Sequence, residues 1–336
     1  MMKKTNKLFL MMLVAGSFAM LFSSCNKEKQ TKELVINLPE FVEENDGKGY
    51  IDFADGNKFK WDANDQVVIY NLSADGNGSE KAVYGTSAAA EGTLSSRFNY
   101  VSGDQLSAKK YGYFAFYPVS KVDMTRWNQN PTSMPNYQYF NVSNEQQYTV
   151  INGKPTVDPT SMAMAIELDN LDQSINFQHI FGVLRLKIKG EGNVTKIVVE
   201  DSRFNLNGSV AMKLHEVKMN RFSTAQNYFI ASDDPYENAT FVTYWNDYRQ
   251  DLGYYTETPA EGGRLMTLIC PSVALNRSTE TLFYIGLRPG ALKYGFKVHV
   301  YCDDATTPTY TLDRTGANNT HYGIKAGVIK GFTISF

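Results

Sequence analysis

Cysteine and histidine are scarce in this chain, with three cysteines and four histidines among 336 residues. So few potential ligands and nucleophiles argue against a multi-ligand transition-metal site and against a cysteine–histidine catalytic pair. Basic residues are not in excess either, because 33 Lys and Arg stand against 35 Asp and Glu and give a net charge of -2. Without an electropositive surface for phosphates, nucleic acid is not an expected partner. Composition thus argues against catalysis but leaves an enzyme that uses two carboxylates as an alternative. We predict a non-enzymatic protein with no metal, no cofactor and no catalytic residues.

Long apolar stretches are missing except for one near the start of the chain. Residues 8–22 are apolar apart from one glycine and one serine, and three lysines precede them. This pattern is typical of a secretory signal peptide, and the run is too short to remain in a bilayer as a spanning helix. Residues 21–25, with the sequence Leu-Phe-Ser-Ser-Cys, resemble the lipobox of a bacterial lipoprotein.

Cys25 is the residue that a lipobox would modify. The small residue before it suits signal peptidase, and its thiol would carry the lipid anchor of diacylglycerol and palmitate. Residues 1–24 are therefore predicted to be a signal peptide, and residues 25–32 a polar tether that starts at the lipidated cysteine. The alternative is an ordinary secretory signal in which Cys25 has no role.

Alternating apolar residues dominate the rest of the chain, and amphipathic helical patterns are rare. Leu34, Ile36 and Leu38 form one alternating run, which Pro39 ends. Asn-Gly and Asp-Gly pairs, which tolerate the positive φ of tight turns, recur between such runs. Many short strands joined in this way are typical of antiparallel β-sandwiches and not of parallel βαβ units.

The chain is long enough for two domains, and the change of pattern suggests where they meet. Residues 126–159 are polar and rich in Pro and Asn, with few clear strands, whereas a new series of strands starts at Ile175. We therefore expect an all-β fold with two tandem antiparallel β-sandwich domains, at residues 33–172 and 173–336. The helical candidates are Ser161–Glu167 and part of Asn238–Asp251.

Short motifs along the whole chain resemble those of fimbrillin-like proteins, the type V pilin superfamily of Gram-negative anaerobes. Residues 61–70 are similar to that family's W-x-x-G-D-x-I-x-V-Y segment, although Asn64 stands where the family commonly has Gly. The other matching segments are Tyr113–Pro118, Phe177–Leu186, Phe204–Gly208, Gly323–Gly327 and Phe332–Phe336.

The resemblance implies two transthyretin-like, Greek-key sandwiches in a lipoprotein of the outer membrane that faces the cell exterior. Such proteins serve as pilus stalk, tip or anchor subunits, so the implied partners are other pilus-type subunits. In that family a protease removes an N-terminal strand, and the empty groove accepts a strand from the next subunit. The physical basis is β-augmentation, in which main-chain hydrogen bonds give affinity and alternate side chains fill pockets.

Two strands of this sequence are candidates for strand exchange, one to be removed and one to be donated. The alternative is that both are permanent members of their sheets. Family members that Arg-specific proteases process need an exposed arginine soon after the first strand, but the first arginine here is Arg97 and the nearest basic residue is Lys48. The candidate residues are Leu34, Ile36 and Leu38 in the N-terminal strand and Phe332, Ile334 and Phe336 in the C-terminal strand.

Residues 232–263 are unusually rich in aromatic side chains that alternate with Asp and Asn. Aromatic faces stack on sugar rings, and neighbouring carboxylates and amides bind hydroxyl groups. A polysaccharide-binding surface lipoprotein, which would bind host or microbial glycan, is therefore the alternative function. The competing explanation is that these rings pack the insertion onto its own domain. The candidate ligand-binding residues are Tyr244, Trp245, Tyr248, Tyr254 and Tyr255.

The remaining candidate sites are weaker. Cys270 and Cys302 lie in apolar strand-like runs, so they could form a disulfide across neighbouring strands or remain two separately buried thiols. His179 has no partner at metal-ligand spacing and is expected to be a packed or interface histidine. The polar residues at 75–80 superficially resemble a calcium loop, but the glycine is misplaced and a hairpin turn is the better interpretation.

Overall fold

Extended strands make up almost all the regular structure in the computed structural model of this chain, and the helical segments among the described residues are three short 3-10 turns. The all-β class expected from the alternating pattern is therefore confirmed. The structure describes residues 33–39, 42–44, 60–71, 80–90, 92–106, 113–122, 137–151, 153–168, 170–172, 174–202, 205–213, 263–288, 290–315, 322–324 and 327–336.

The strands are numbered in chain order. Those before residue 170 are β1 (Leu34–Asn37), β2 (Val42–Glu44), β3 (Gln66–Asn71), β4 (Lys81–Gly85), β5 (Ser95–Gly103), β6 (Tyr113–Tyr117), β7 (Tyr137–Val142), β8 (Glu145–Gln147), β9 (Thr149–Ile151), β10 (Lys154–Thr156) and β11 (Met164–Leu168). Those after it are β12 (Ile175–Asn176), β13 (Gln178–His179), β14 (Gly182–Lys189), β15 (Asn193–Asp201), β16 (Gly208–Lys213), β17 (Leu265–Ala274), β18 (Thr281–Leu287), β19 (Phe296–Cys302), β20 (Tyr310–Asp313) and β21 (Val328–Ser335).

The first sheet contains eight strands in the spatial order β12-β1-β5-β4-β3-β6-β11-β13. Its edge strands β12 and β13 are separated in the chain by Phe177 alone, so this short segment joins one edge of the sheet to the other. The sheet buries a hydrophobic cluster that includes Trp61, Phe98 and Ile175. We expected a sandwich of two sheets here, and the structure has one continuous sheet. Alternation along a strand determines which side chains are buried together but not which strands pair.

Two further sheets share a second hydrophobic core. Their spatial orders are β18-β14-β21-β2 and β20-β19-β15-β17-β8. Leu186 and Phe283 of the four-stranded sheet belong to the same buried cluster as Val199 and Val298 of the five-stranded sheet. Two sheets with a common core form a sandwich. The transthyretin-like, Greek-key connection of this sandwich stays a prediction.

Four strand pairs in the described part of the chain are parallel, so the expectation of wholly antiparallel sheets was wrong. They are β1 with β12, β14 with β21, β8 with β17 and β2 with β21. Burial alternates in the same way in both kinds of pair, and these partners are too far apart in sequence for a hairpin pattern to reveal them. The domain limits at 33–172 and 173–336 stay predictions, and each range contributes strands to the sheets of the other.

The side chain of Gln146 in β8 connects the five-stranded sheet to the four-stranded sheet. The buried amide donates a hydrogen bond to the carbonyl oxygen of Gly286 at 2.7 Å and accepts one from the Gly286 N–H at 2.8 Å. Gly286 lies in β18, the edge strand of the four-stranded sheet. The glutamine side chain therefore bonds both backbone groups of this edge residue, as a neighbouring strand would.

The segment around Ser161 differs from the expected helix over Ser161–Glu167. Pro159–Ser161 is a 3-10 turn, and Met164–Leu168 is strand β11. Residues 162–165 are all buried, and a short apolar run without alternation cannot be assigned to a helix or a strand by its period. The polar stretch 126–159 likewise contains strands β7 to β10, which its composition concealed. The other helical candidate lies outside the described residues.

Candidate strand-exchange site

Strand β1 lies inside the first sheet, between β5 and β12. Its side chains alternate as the sequence indicates: Leu34 and Ile36 are 2% and 0% exposed, whereas Val35 between them is 39% exposed. Leu38, the third residue of the run, follows the strand and is half-buried. The structure therefore places two inward side chains of this strand in the core of the first sheet.

Backbone hydrogen bonds hold β1 on both sides. It pairs antiparallel with β5 along all four residues and parallel with β12 at Ile36 and Asn37. Beyond this ladder, the N–H of Phe177 donates to the carbonyl of Asn37 at 3.1 Å, and the side-chain amide of Asn37 donates to that of Asn176 at 2.7 Å. A strand with two paired edges and two buried side chains occupies a groove that another strand of similar pattern could fill.

Trp61 closes the inner side of this groove. Its indole is buried and meets Phe98 and Tyr117 edge to face, with ring centroids 4.8 and 5.1 Å away. Its Nε1–H donates to the carbonyl oxygen of Ile36 at 3.1 Å. The sequence identified Trp61 as a motif residue but not its bond to β1, because nothing local links residues so far apart in the chain.

A tight turn after Trp61 explains the one departure from the family motif. Asn64 has φ of 65°, in the left-handed region that glycine adopts freely and asparagine tolerates better than most residues. The Asp65 carboxylate closes the turn by accepting hydrogen bonds from the Asp62 N–H at 2.7 Å and the Tyr117 hydroxyl at 3.0 Å. Burial raises the pKa of Asp65, and these two hydrogen bonds oppose the shift. Asparagine at position 64 is therefore compatible with a left-handed backbone that glycine would adopt freely.

His179 lies beside Pro39, which closely follows β1 in the chain. It belongs to β13, is buried, and has the backbone of Pro39 as a hydrogen-bonding neighbour. Burial lowers its pKa to about 3, and the hydrogen bond with Pro39 acts in the opposite direction. The expectation of a packed histidine is confirmed.

The C-terminal candidate strand is more firmly integrated than β1. Strand β21 pairs in parallel with β14 over seven residue pairs and with β2 over three. Ile334 is buried, and the ring of Phe332 lies 5.3 Å from that of Phe296. Phe336 is 41% exposed and stacks on Tyr310 at 4.3 Å. To donate this strand, the protein would have to dismantle the centre of its four-stranded sheet.

The two described cysteines do not form the disulfide that was one of our two alternatives. Cys270 in β17 and Cys302 in β19 are both buried free thiols. Strand β15 lies between their strands, so the two backbones are about 9.5 Å apart, and a disulfide needs Cα atoms within about 6.8 Å. Burial raises the pKa of Cys270 to about 12. The structure thus has two separately buried thiols.

Several predicted features lie outside the described residues, and they stay predictions. Within the described ranges, no group of three or more His, Cys, Asp or Glu residues could hold a metal ion. No helix in the same ranges is both long and apolar enough to cross a membrane. The sites outside are Cys25, Lys48, the turn at 75–79, and the aromatic residues Tyr244, Trp245, Tyr248, Tyr254 and Tyr255.

Neither a family model nor a curated protein matches the chain. Among solved structures, a candidate cell adhesion protein from Bacteroides ovatus is 13% identical, with a TM-score of 0.41 over 91% of this chain and 92% of the other. A similar protein from Bacteroides uniformis is 15% identical, with a TM-score of 0.38 over 82% and 88% of the two chains. The C-terminally truncated tip fimbrial protein of Porphyromonas gingivalis is 12% identical, with a TM-score of 0.37 over 91% and 95%.

TM-scores and identities this low carry no argument about mechanism. They show only which proteins the chain is similar to. The structural neighbours of this chain are cell adhesion and fimbrial proteins, in agreement with its resemblance to the fimbrillin-like family.

Proposed function

We propose that this chain is a non-enzymatic lipoprotein of the outer membrane that faces the cell exterior and serves as a subunit of a pilus-type assembly. The lipid on Cys25 holds the protein to the membrane, and the groove occupied by β1 is where a partner subunit inserts a strand. The observation that carries this proposal is the position of β1, a four-residue strand with two buried side chains and hydrogen-bonded neighbours on both sides.

The energetics of β1 support its replacement by another strand. Its backbone hydrogen bonds are of a kind that any extended segment forms, and they carry no sequence requirement. Its specific contribution comes from Leu34 and Ile36, each worth about 1.5 to 3 kcal/mol when buried. A partner strand with aliphatic residues at these two alternate positions would recover the same stabilisation.

The short tether between the anchor and the first strand limits how far the protein can lie from the membrane. Residues 26–33 separate Cys25 from β1, and an extended chain of this length spans about 30 Å. While β1 stays in its groove, the body of the protein is held within that distance of the lipid. Loss of β1 together with the tether would release the body from the membrane and open the groove in one step.

The positions of basic residues decide which protease could cause this step. Arg97 lies within β5, opposite Val35, so an Arg-specific protease would have to unfold that strand to cut there. Lys48 follows β1 closely and is the better cleavage site. A protein that keeps β1 would act as a fixed anchor, and one cut at Lys48 would accept a partner strand.

The anchor is tested by fractionating cells that express the wild type, Cys25→Ser or the control Cys270→Ser. Because only Cys25 is expected to carry lipid, only Cys25→Ser should leave the membrane fraction. Protein shaved from intact cells and analysed by mass spectrometry should begin at lipidated Cys25 or near residue 49. Membrane attachment that survives Cys25→Ser, or protein that cannot be reached from outside the cell, would refute the localisation.

The strand-exchange site is tested by comparing Ile36→Asn with the outward control Val35→Asn. Ile36→Asn places a polar amide in the core, weakens the hold of β1 on its groove and should increase the yield of SDS-resistant complexes with other subunits, whereas Val35→Asn should leave the yield unchanged. Circular dichroism confirms that each variant is folded. Equal complex formation by both variants, or none by the wild type, would refute assembly at β1.

A further inference from the structure

Strands β1 and β2 are close neighbours in the chain but belong to different sheets. β1 lies in the eight-stranded sheet, whereas β2 lies at the edge of the four-stranded sheet opposite β18 and pairs with the start of β21. In this parallel pair Val42 lies opposite Val328, and Glu44 lies opposite Lys330. Residues 38–41 alone connect the two strands. The N-terminal segment is therefore hydrogen-bonded to both the eight-stranded and the four-stranded sheet.

The same segment has an unusual charge distribution. Residues 33–44 contain four glutamates and neither lysine nor arginine. The first basic residue after β1 is Lys48, which lies beyond β2. A protease specific for basic residues therefore has no site between the two strands and can only free them together.

We infer that β1 and β2 are a single exchange unit, and that the partner replacing them is an acidic extended segment of another subunit that binds both sheets at once. This inference rests on the proposed function of the β1 groove. Departure of the unit vacates the groove between β5 and β12 and also the edge of β21 at Val328–Lys330. A partner strand that filled the groove alone would leave this part of β21 as an unpaired edge, which is a template for further pairing.

Binding to two sheets through one short connection strengthens both contacts. After the first part of a segment has docked, the second part binds intramolecularly, at an effective concentration in the millimolar range. The register also favours an acidic partner, because Arg97 lies opposite β1 and Lys330 lies opposite the last residue of β2. Pairing with β21 should therefore add at least about tenfold in affinity, the equivalent of one or two net hydrogen bonds.

The experiment uses the full mature chain, with Cys25→Ser to avoid lipidation. In one variant the recognition sequence of a site-specific protease is inserted after Asp46, so that cleavage leaves β1 and β2 bound without a covalent link. A matched variant carries the same insertion after Glu40, so that cleavage leaves β2 attached to the body. Labelled peptides covering residues 33–44 or 33–39 are then added, and their incorporation gives the affinity for each cleaved protein.

For the variant cut after Asp46, peptide 33–44 should bind at least about tenfold more tightly than peptide 33–39. It should also restore slow hydrogen exchange at Val328–Lys330, which the shorter peptide should leave fast. For the variant cut after Glu40, the peptides should bind alike, because β2 already covers β21. A longer peptide with Glu43→Gln and Glu44→Gln should bind more weakly than the native peptide.

Two results would overturn the inference, and they differ in what else they refute. Equal affinity of both peptides for the protein cut after Asp46 would show that β2 contributes nothing, while leaving strand exchange at β1 intact. If neither peptide replaces the bound segment in either cleaved protein, strand exchange itself is refuted, and the proposed function with it.

Discussion

Replacing Trp61 with phenylalanine is expected to loosen β1 while keeping most of the aromatic core around it. Phenylalanine can keep the edge-to-face contacts with Phe98 and Tyr117, but it cannot donate the hydrogen bond that Trp61 makes to the Ile36 carbonyl at 3.1 Å. Loss of this hydrogen bond costs about 0.5 to 1.5 kcal/mol, because the carbonyl keeps its hydrogen bond in the ladder with β5. The smaller ring also leaves unfilled space that costs about 1 to 2 kcal/mol. The free energy of unfolding should therefore fall by about 1.5 to 3.5 kcal/mol.

Urea unfolding followed by far-ultraviolet circular dichroism measures this change, and hydrogen exchange of the Leu34–Asn37 amides shows whether it is located at β1. Tyr100→Phe is the matched control, because it removes a hydroxyl that donates to the carbonyl of Gly103 at an exposed position. That change should cost less than about 1 kcal/mol. If Trp61→Phe destabilises no more than the control, or leaves exchange at β1 unchanged, the indole bond does not hold β1 and our reasoning is wrong.

Further predictions concern buried polar groups and thiols. Because burial lowers the pKa of His179 from 6.5 to about 3, the unfolded state binds its proton more readily, and stability should fall by about 1.4 kcal/mol per pH unit as pH decreases below 6.5. Denaturation at pH 7 and pH 4 tests this, and His179→Gln should remove that contribution. Gln146→Ala leaves the N–H and the carbonyl of Gly286 in β18 without the partners that the glutamine provides. The free energy of unfolding in urea should therefore fall by about 2 to 4 kcal/mol. The control Gln147→Ala, at an exposed position, should change it by less than about 0.5 kcal/mol. Because Cys270 and Cys302 are buried free thiols, iodoacetamide should modify both only after denaturation, and a reducing agent should not shift the thermal midpoint; a mass two hydrogens lower in the oxidised protein would contradict this.

Features of the fold that depend on a few neighbouring residues could be predicted from the sequence. The alternation of Leu34 and Ile36 gave the burial of β1, because side chains on a strand point to opposite faces in turn. The motif that starts at Trp61 gave the start of β3 in the same way. Even its departure at Asn64 has a local explanation, since the residue adopts a left-handed backbone conformation.

Features that depend on distant partners could not be predicted. Nothing near Val42 in sequence indicates that it pairs with β21, and nothing near Gln146 indicates a bond to β18. The run over residues 162–165 was mistaken for part of a helix because burial on both faces removes the period of two that identifies a strand. The sequence therefore predicted which residues are buried better than it predicted which strands pair.

The pairing of β2 with β21 also affects how the protein can fold. Val42 lies near the start of the described residues and Val328 near their end, so the 285 residues between them must emerge before this pair can form. The pairing of β14 with β21 has the same requirement. Contacts between such distant residues carry a large loop-closure cost and form slowly. The four-stranded sheet therefore stays incomplete during synthesis, and a chain emerging from its N-terminus should remain unfolded in this part until its final strand is available.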